Sequence, residues 1–191
     1  ARFFAGKGFT VVGVDVSDAM MESAREGGRS DGVQFIKGDL VHVDTVVNGQ
    51  FGSAVCLGNT LAHITDRDTM VQMFTAVREV LVPGAPFVLQ ILNYEHFVHA
   101  GQRSLPLTFI EDEEGEAIFL RVMTFKPEGR VVFTPTVLRF REDGNPALEV
   151  ETSHNVELQG WTRGDVEGAL ASAGFAERRL FGAMGDVPFN A

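Results

Sequence analysis

Residues 10–16, TVVGVDV, place β-branched and apolar side chains in an unbroken run, which is the pattern of a parallel strand buried on both faces. Ser17 or Asp18 then caps a helix through about Arg25, stopped by Gly27 and Gly28. VQFIKGD (33–39) and FGSAVCLGN (51–59) read as two further strands. Between Thr65 and Val82 the residues Met70, Met73, Phe74, Val77, Val80 and Leu81 recur at helical spacing, with Thr65 or Asp66 as cap. VPGAP ends that helix and FVLQILN (87–93) is a fourth strand, so the rhythm predicts an α/β, Rossmann-like, doubly wound and mostly parallel sheet. From Leu105 the pattern turns to consecutive strands at about 105–110, 116–126, 130–141 and 147–158, separated by EDEEGE, KPEG and EDGNP. This is an antiparallel insertion. The first rhythm then resumes: Thr162 caps a helix to about Ala173, Gly174 stops it, and AERRLFGAM forms another strand.

Composition narrows the partners. At 191 residues, 45% hydrophobic and 22% charged, the chain has the make-up of a globular protein with one domain, or one domain and an insertion. Its longest apolar stretches are strand-sized, so no membrane-spanning helix is expected, and ARFFAGKG lacks the features of a secretory peptide. Net charge is −10 with pI near 4.9, and no basic run exceeds Arg178 and Arg179; most of the surface would repel a phosphate backbone, so nucleic acid is not an expected partner. The one cysteine, Cys56, excludes an internal disulfide, and no Cys/His cluster has zinc spacing. A cytoplasmic protein without a metal is the expectation.

Asp15 carries the first chemical signal. A carboxylate closing an apolar strand is costly unless it meets donors, and in nucleotide-binding folds such a residue takes a ribose hydroxyl about 20 residues after a glycine-rich turn. Counting back from Asp15 runs off the front of the chain. A nicotinamide oxidoreductase would share the acidic strand end, but short-chain enzymes of that kind pair a Tyr with a Lys four residues on. Here Val98 stands four after Tyr94, and Lys7, Lys37 and Lys126 are the only lysines.

The order of features resembles the class I S-adenosylmethionine-dependent methyltransferases. VVGVDVSDAMMESARE matches the second strand and its helix, VQFIKGDL the third strand with its acidic end, and FGSAVCLGNTLAHI the fourth. VREVLVPGAPFVLQILNY matches the following helix and fifth strand, and WTRGDVEGALASAGF a late helix. CLGNTLAHI and ILNY are closest to small-molecule N-methyltransferases of the glycine/sarcosine type. The resemblance implies a core over residues 1–104 without its first strand and glycine-rich loop, a pocket-covering insertion over 105–158, and a return to the core over 159–191. Residues 1–8 then read as the end of the helix after the missing loop, and the chain as truncated at both ends. Lacking a central strand, it is expected to be unstable by itself.

The resemblance also implies roles, each beside a plainer alternative. Asp15, with the neighbouring Val16, would hold the ribose of S-adenosylmethionine, or Asp15 would cap a helix. Met20 would pack on adenine or serve as a core methionine. Asp39 would accept from the adenine amine, with the Leu40 backbone at the ring nitrogen, or sit in a surface turn. Leu57, Gly58 and Asn59 would line the cofactor at a strand end, or begin a turn. His63 is a candidate catalytic base or a structural histidine, and Tyr94 a candidate catalytic and substrate-binding residue or a packing residue. Asn93 and Arg103 are candidates for the substrate, with a solvated Arg103 as the alternative, and His154 and Trp161 are weaker ones from the insertion. The implied reaction is in-line methyl transfer from S-adenosylmethionine to nitrogen or oxygen of a small molecule, with a homodimer as the candidate assembly. A non-catalytic relative that binds the cofactor or a partner is the other reading.

Overall fold

The computed structural model describes residues 1–26, 32–112, 114–141, 144–183, 185 and 187–189. The chain forms two compact units. The first comprises residues 1–57, 66–89 and 167–178. It contains α1 (Arg2–Ala5), β1 (Val11–Asp15), α2 (Asp18–Glu26), β2 (Val33–Lys37), α3 (Val43–Val46), β3 (Ala54–Cys56), α4 (Arg67–Glu79) and β4 (Phe87–Leu89). β1 lies parallel to β2 from Val11 opposite Val33 to Asp15 opposite Lys37. Gly13 is required there, because a Cβ at that position would stand 2.9 Å from the Phe35 ring. β3 lies parallel to β4 from Ala54 opposite Phe87 to Cys56 opposite Leu89. Among the described residues these are two separate sheets, and β1 does not pair with β3.

The expected α4 begins where Asp66 caps it: the carboxylate accepts from the Thr69 amide at 2.8 Å and the Thr69 hydroxyl at 2.9 Å. Met70, Met73, Phe74 and Val77 bury one stripe of this helix, and Phe74 meets Phe87 of β4 edge to face at 5.9 Å between ring centres. The predicted stop of α2 at Gly27 and Gly28 lies outside the described residues.

The second unit comprises residues 58–65, 90–166 and 179–191. It contains α5 (Tyr94–His99), β5 (Thr108–Asp112), β6 (Gly115–Phe125), β7 (Arg130–Phe140), β8 (Leu148–Ser153) and β9 (Val156–Gln159). These strands form one antiparallel sheet ordered β5-β6-β7-β8, with β9 also on β7. Met123, Val131 and Leu158 of the sheet share a core with Ala62, Tyr94 and Phe97. Near the far end of the sheet Arg139, buried, bonds Asp112 through two nitrogens at 2.8 and 3.1 Å and Glu151 at 2.7 and 3.0 Å. The helix α6 (Arg163–Ser172) starts in this unit. Thr162 caps it through a reciprocal pair, its hydroxyl accepting from the Asp165 amide while Asp165 accepts from the Thr162 amide and hydroxyl.

Four expectations give way, the first being the third strand, which covers Ala54–Cys56 rather than 51–59. The fourth strand ends at Leu89 rather than 93, because the Asn93 side chain accepts from the His96 amide and caps α5. The strand expected over 147–158 divides at His154 and Asn155, where Asn155 accepts from the Thr134 hydroxyl at 2.8 Å. Among the described residues AERRLFGAM contributes a single bridge, Phe181 to Pro188.

Candidate functional site

In the first unit the candidate residues stand at the carboxyl ends of two adjacent parallel strands, the end at which open α/β sheets bind ligands. Asp15 closes β1, half-buried, and one carboxylate oxygen accepts from the Ser17 amide at 2.9 Å. Asp39, exposed, lies two residues past β2 and caps a short 3-10 turn (Leu40–His42), accepting from the Val41 amide at 2.9 Å. Each carboxylate thus uses one oxygen to set its own turn, and its second oxygen meets no donor among the described residues. Val16 and Met20 leave 67% and 59% of their surface exposed, unusual for apolar side chains beside a core strand and its helix. Leu40 is half-buried and Leu57, just past β3, is exposed.

In the second unit a hydrogen-bonded group joins the turn after β3 to the segment after β4. Gly58 (φ +75°) and Asn59 (φ +67°) are both left-handed, a conformation natural to glycine and tolerated by asparagine. Their consecutive amides both donate to the side-chain oxygen of Gln90, at 2.7 and 3.2 Å. Asn59 then uses both ends of its side chain: Oδ1 accepts from the Leu92 amide at 3.0 Å, and Nδ2 donates to the Tyr94 hydroxyl oxygen at 2.7 Å. Since an amide N–H can only donate, the Leu92 contact fixes which end of Asn59 is oxygen. Tyr94 is 2% exposed; burial pushes its hydroxyl pKa up from the ordinary value, and the Asn59 bond opposes this with a smaller pull. Gly160 lies against it, where a Cβ would stand 3.2 Å from the Tyr94 Cβ and Cγ.

The other predicted residues are placed as follows. His63 is exposed at the end of a 3-10 turn (Thr60–His63). The Asn93 side-chain oxygen accepts from the His96 amide and caps α5. The Arg103 guanidinium donates to the Met123 carbonyl and the Thr124 hydroxyl. His154 is exposed, and Trp161, buried, donates to the Ile64 carbonyl at 2.8 Å. The structure therefore brings Gly58, Asn59 and Tyr94 together, and sets Asp15 and Asp39 at the same end of one strand pair. Sequence reading missed Gln90; its signal was a lone amide inside the apolar run FVLQILN.

Residues 1–84 match the methyltransferase domain family. A glycine/sarcosine N-methyltransferase of Halorhodospira halochloris is 27% identical over 103 residues, 51% of this chain and 37% of that protein. The amino pentose methyltransferase CalS10 of Micromonospora echinaspora, solved with S-adenosylmethionine bound, superposes with a TM-score of 0.67 at 21% identity, over 86% of this chain and 65% of that one. The sugar N-methyltransferase KedS8 of a Streptoalloteichus species gives 0.64 at 19% identity, over 85% and 62%. The chain thus spans 37% of the curated relative and 62% to 65% of these solved structures. The β1 and β2 ends have the chemistry to hold a nucleoside: the second oxygens of Asp15 and Asp39 fit its hydroxyl and amine donors, and Val16 and Met20 offer uncovered apolar surface to its ring.

Proposed function

We propose that the protein transfers a methyl group from S-adenosylmethionine to a small molecule, with nitrogen as the first acceptor to test. The observation that carries this reading is the pair of acidic residues, Asp15 and Asp39, ending neighbouring parallel strands with one carboxylate oxygen apiece left for a ligand. Asp15 with Val16 would hold the ribose, Asp39 and the Leu40 amide the adenine, Met20 its face, and Leu57, Gly58 and Asn59 the amino-acid end. The bound cofactor supplies a methyl already activated on a sulfonium. The chain's task is orientation and exclusion of water, which contribute roughly 7 to 11 kcal/mol in well-aligned reactions. A neutral amine needs no base; a hydroxyl acceptor would call on one, and His63 is the candidate. Tyr94, Asn93 and Arg103 are proposed for the acceptor, with residues 105–158 shaping its pocket over a core of 1–104 and 159–191.

The names of the relatives, glycine/sarcosine and amino sugar methyltransferases, favour nitrogen over oxygen. With Cys56 as its single cysteine the chain forms no internal disulfide, which fits a reducing cytoplasm. A homodimer is the assembly proposed with this reading: Phe109, Ile118, Leu138 and Val150 lie side by side across β5–β8, and Phe109 and Val150 are mostly exposed. Titration calorimetry with S-adenosylhomocysteine, followed by transfer assays on an amine and phenol panel, tests the activity. Saturable binding that Asp15→Asn and Asp39→Asn each weaken about tenfold is the expected result, and no binding refutes it. Binding without transfer would leave a non-catalytic relative.

A further inference from the structure

The Tyr94 hydroxyl has two hydrogen-bonding roles, and Asn59 settles which one faces away from it. The Leu92 amide must meet the Asn59 oxygen, so the Asn59 nitrogen must meet Tyr94. With its oxygen already accepting from Asn59, the phenol keeps its own proton for a third partner, and none is found among the described residues. Gln90 stands one step back: by receiving the Gly58 and Asn59 amides it holds the left-handed turn from which Asn59 reaches Tyr94. No charged side chain belongs to this group. What the buried phenol has left to offer is therefore a donor from a neutral site.

We infer that Asn59, held by Gln90, is a positioning residue that fixes the Tyr94 hydroxyl as a hydrogen-bond donor to an oxygen of the methyl acceptor. The oxygen follows from chemistry: a proton donated to the acceptor nitrogen would occupy the lone pair that attacks the methyl group. The substrate class is then a small amine bearing a hydroxyl, carbonyl or carboxylate beside its nitrogen. This part rests on the methyltransferase reading; the orientation of the hydroxyl does not.

Tyr94 is the chain's single tyrosine, so its labelled ring carbon Cζ gives one resonance that reports hydrogen-bond polarity in the unliganded protein. Asn59→Asp retains an oxygen for the Leu92 amide and tolerates the left-handed backbone, but presents a second oxygen to Tyr94, which must then donate inward. Asn59→Asp is expected to move the Cζ resonance. Gln90→Glu, which still accepts both amides, should leave it in place, whereas Gln90→Leu should broaden or shift it. A wild-type resonance in Asn59→Asp with a wild-type thermal midpoint overturns the inference. In transfer assays 2-aminoethanol and glycine should exceed ethylamine about tenfold or more in kcat/KM. Tyr94→Phe and Asn59→Asp should each remove that preference, with no further loss in the double variant. A preference that survives in folded Asn59→Asp refutes the donor role. A moved resonance without transfer by the wild type refutes the methyltransferase reading and leaves the orientation standing.

Discussion

At the scale of single residues, side chains fix backbone turns before they meet any ligand. Asp15, Asp39, Asn59 and Asn93 each accept from a nearby amide, so a wrong residue there moves the chain as well as the chemistry. Gly13 is a tight position in the first unit: Gly13→Ala must push the Phe35 ring aside and should cost about 1 to 3 kcal/mol in urea unfolding. Arg139 governs the acid response of the second unit. Its hydrogen bonds hold the Asp112 carboxyl below its ordinary 3.8, so this stabilisation is complete above that value and fades as pH falls through the depressed one. Arg139→Gln should flatten the fall of stability in acid, read from urea midpoints measured downward from pH 5. Asp15 and Asp39 were legible as chemistry because a carboxylate ending an apolar strand is expensive. Gln90 was not, since its role exists only once the turn after β3 comes beside it.

Elements were legible where a local rule decides them. The apolar period and the Asp66 cap located α4, and Thr162 located α6. Asp66→Ala should cost about 1 kcal/mol, measured by chemical unfolding. Strand ends were less legible, because the apolar run 87–93 continues past the point where Asn93 turns the backbone into α5. The bend at His154 and Asn155 depends on Thr134 of a strand some twenty residues earlier, and such a partner leaves no periodicity to read. β1 offers a sharper test. The Val11 amide donates to the Gly32 carbonyl toward β2, so alternation turns the Val12 and Val14 amides to the other edge, which has no strand among the described residues. Hydrogen exchange should find Val12 and Val14 less protected than Gly13 and Asp15.

For the molecule as a whole, a ligand that binds only the folded chain should stabilise it by mass action. S-adenosylhomocysteine at about 100 times its Kd adds about 2.7 kcal/mol, so the thermal midpoint should climb with ligand concentration and stay flat in an Asp15→Asn, Asp39→Asn double variant. The α/β rhythm and the antiparallel insertion were legible because each imposes its own spacing of apolar residues. The separation of β1–β2 from β3–β4 was anticipated only through the family resemblance, since pairing between distant strands leaves no local trace. Gly160 has a consequence at this scale. Its amide donates to the Gly129 carbonyl at 2.7 Å, and its bare α-carbon abuts the Tyr94 side chain. A methyl group there would act as a wedge, displacing the phenol from Asn59 without touching either polar atom. The spacing between two loops, rather than any donor or acceptor, thereby sets how far the phenol can reach.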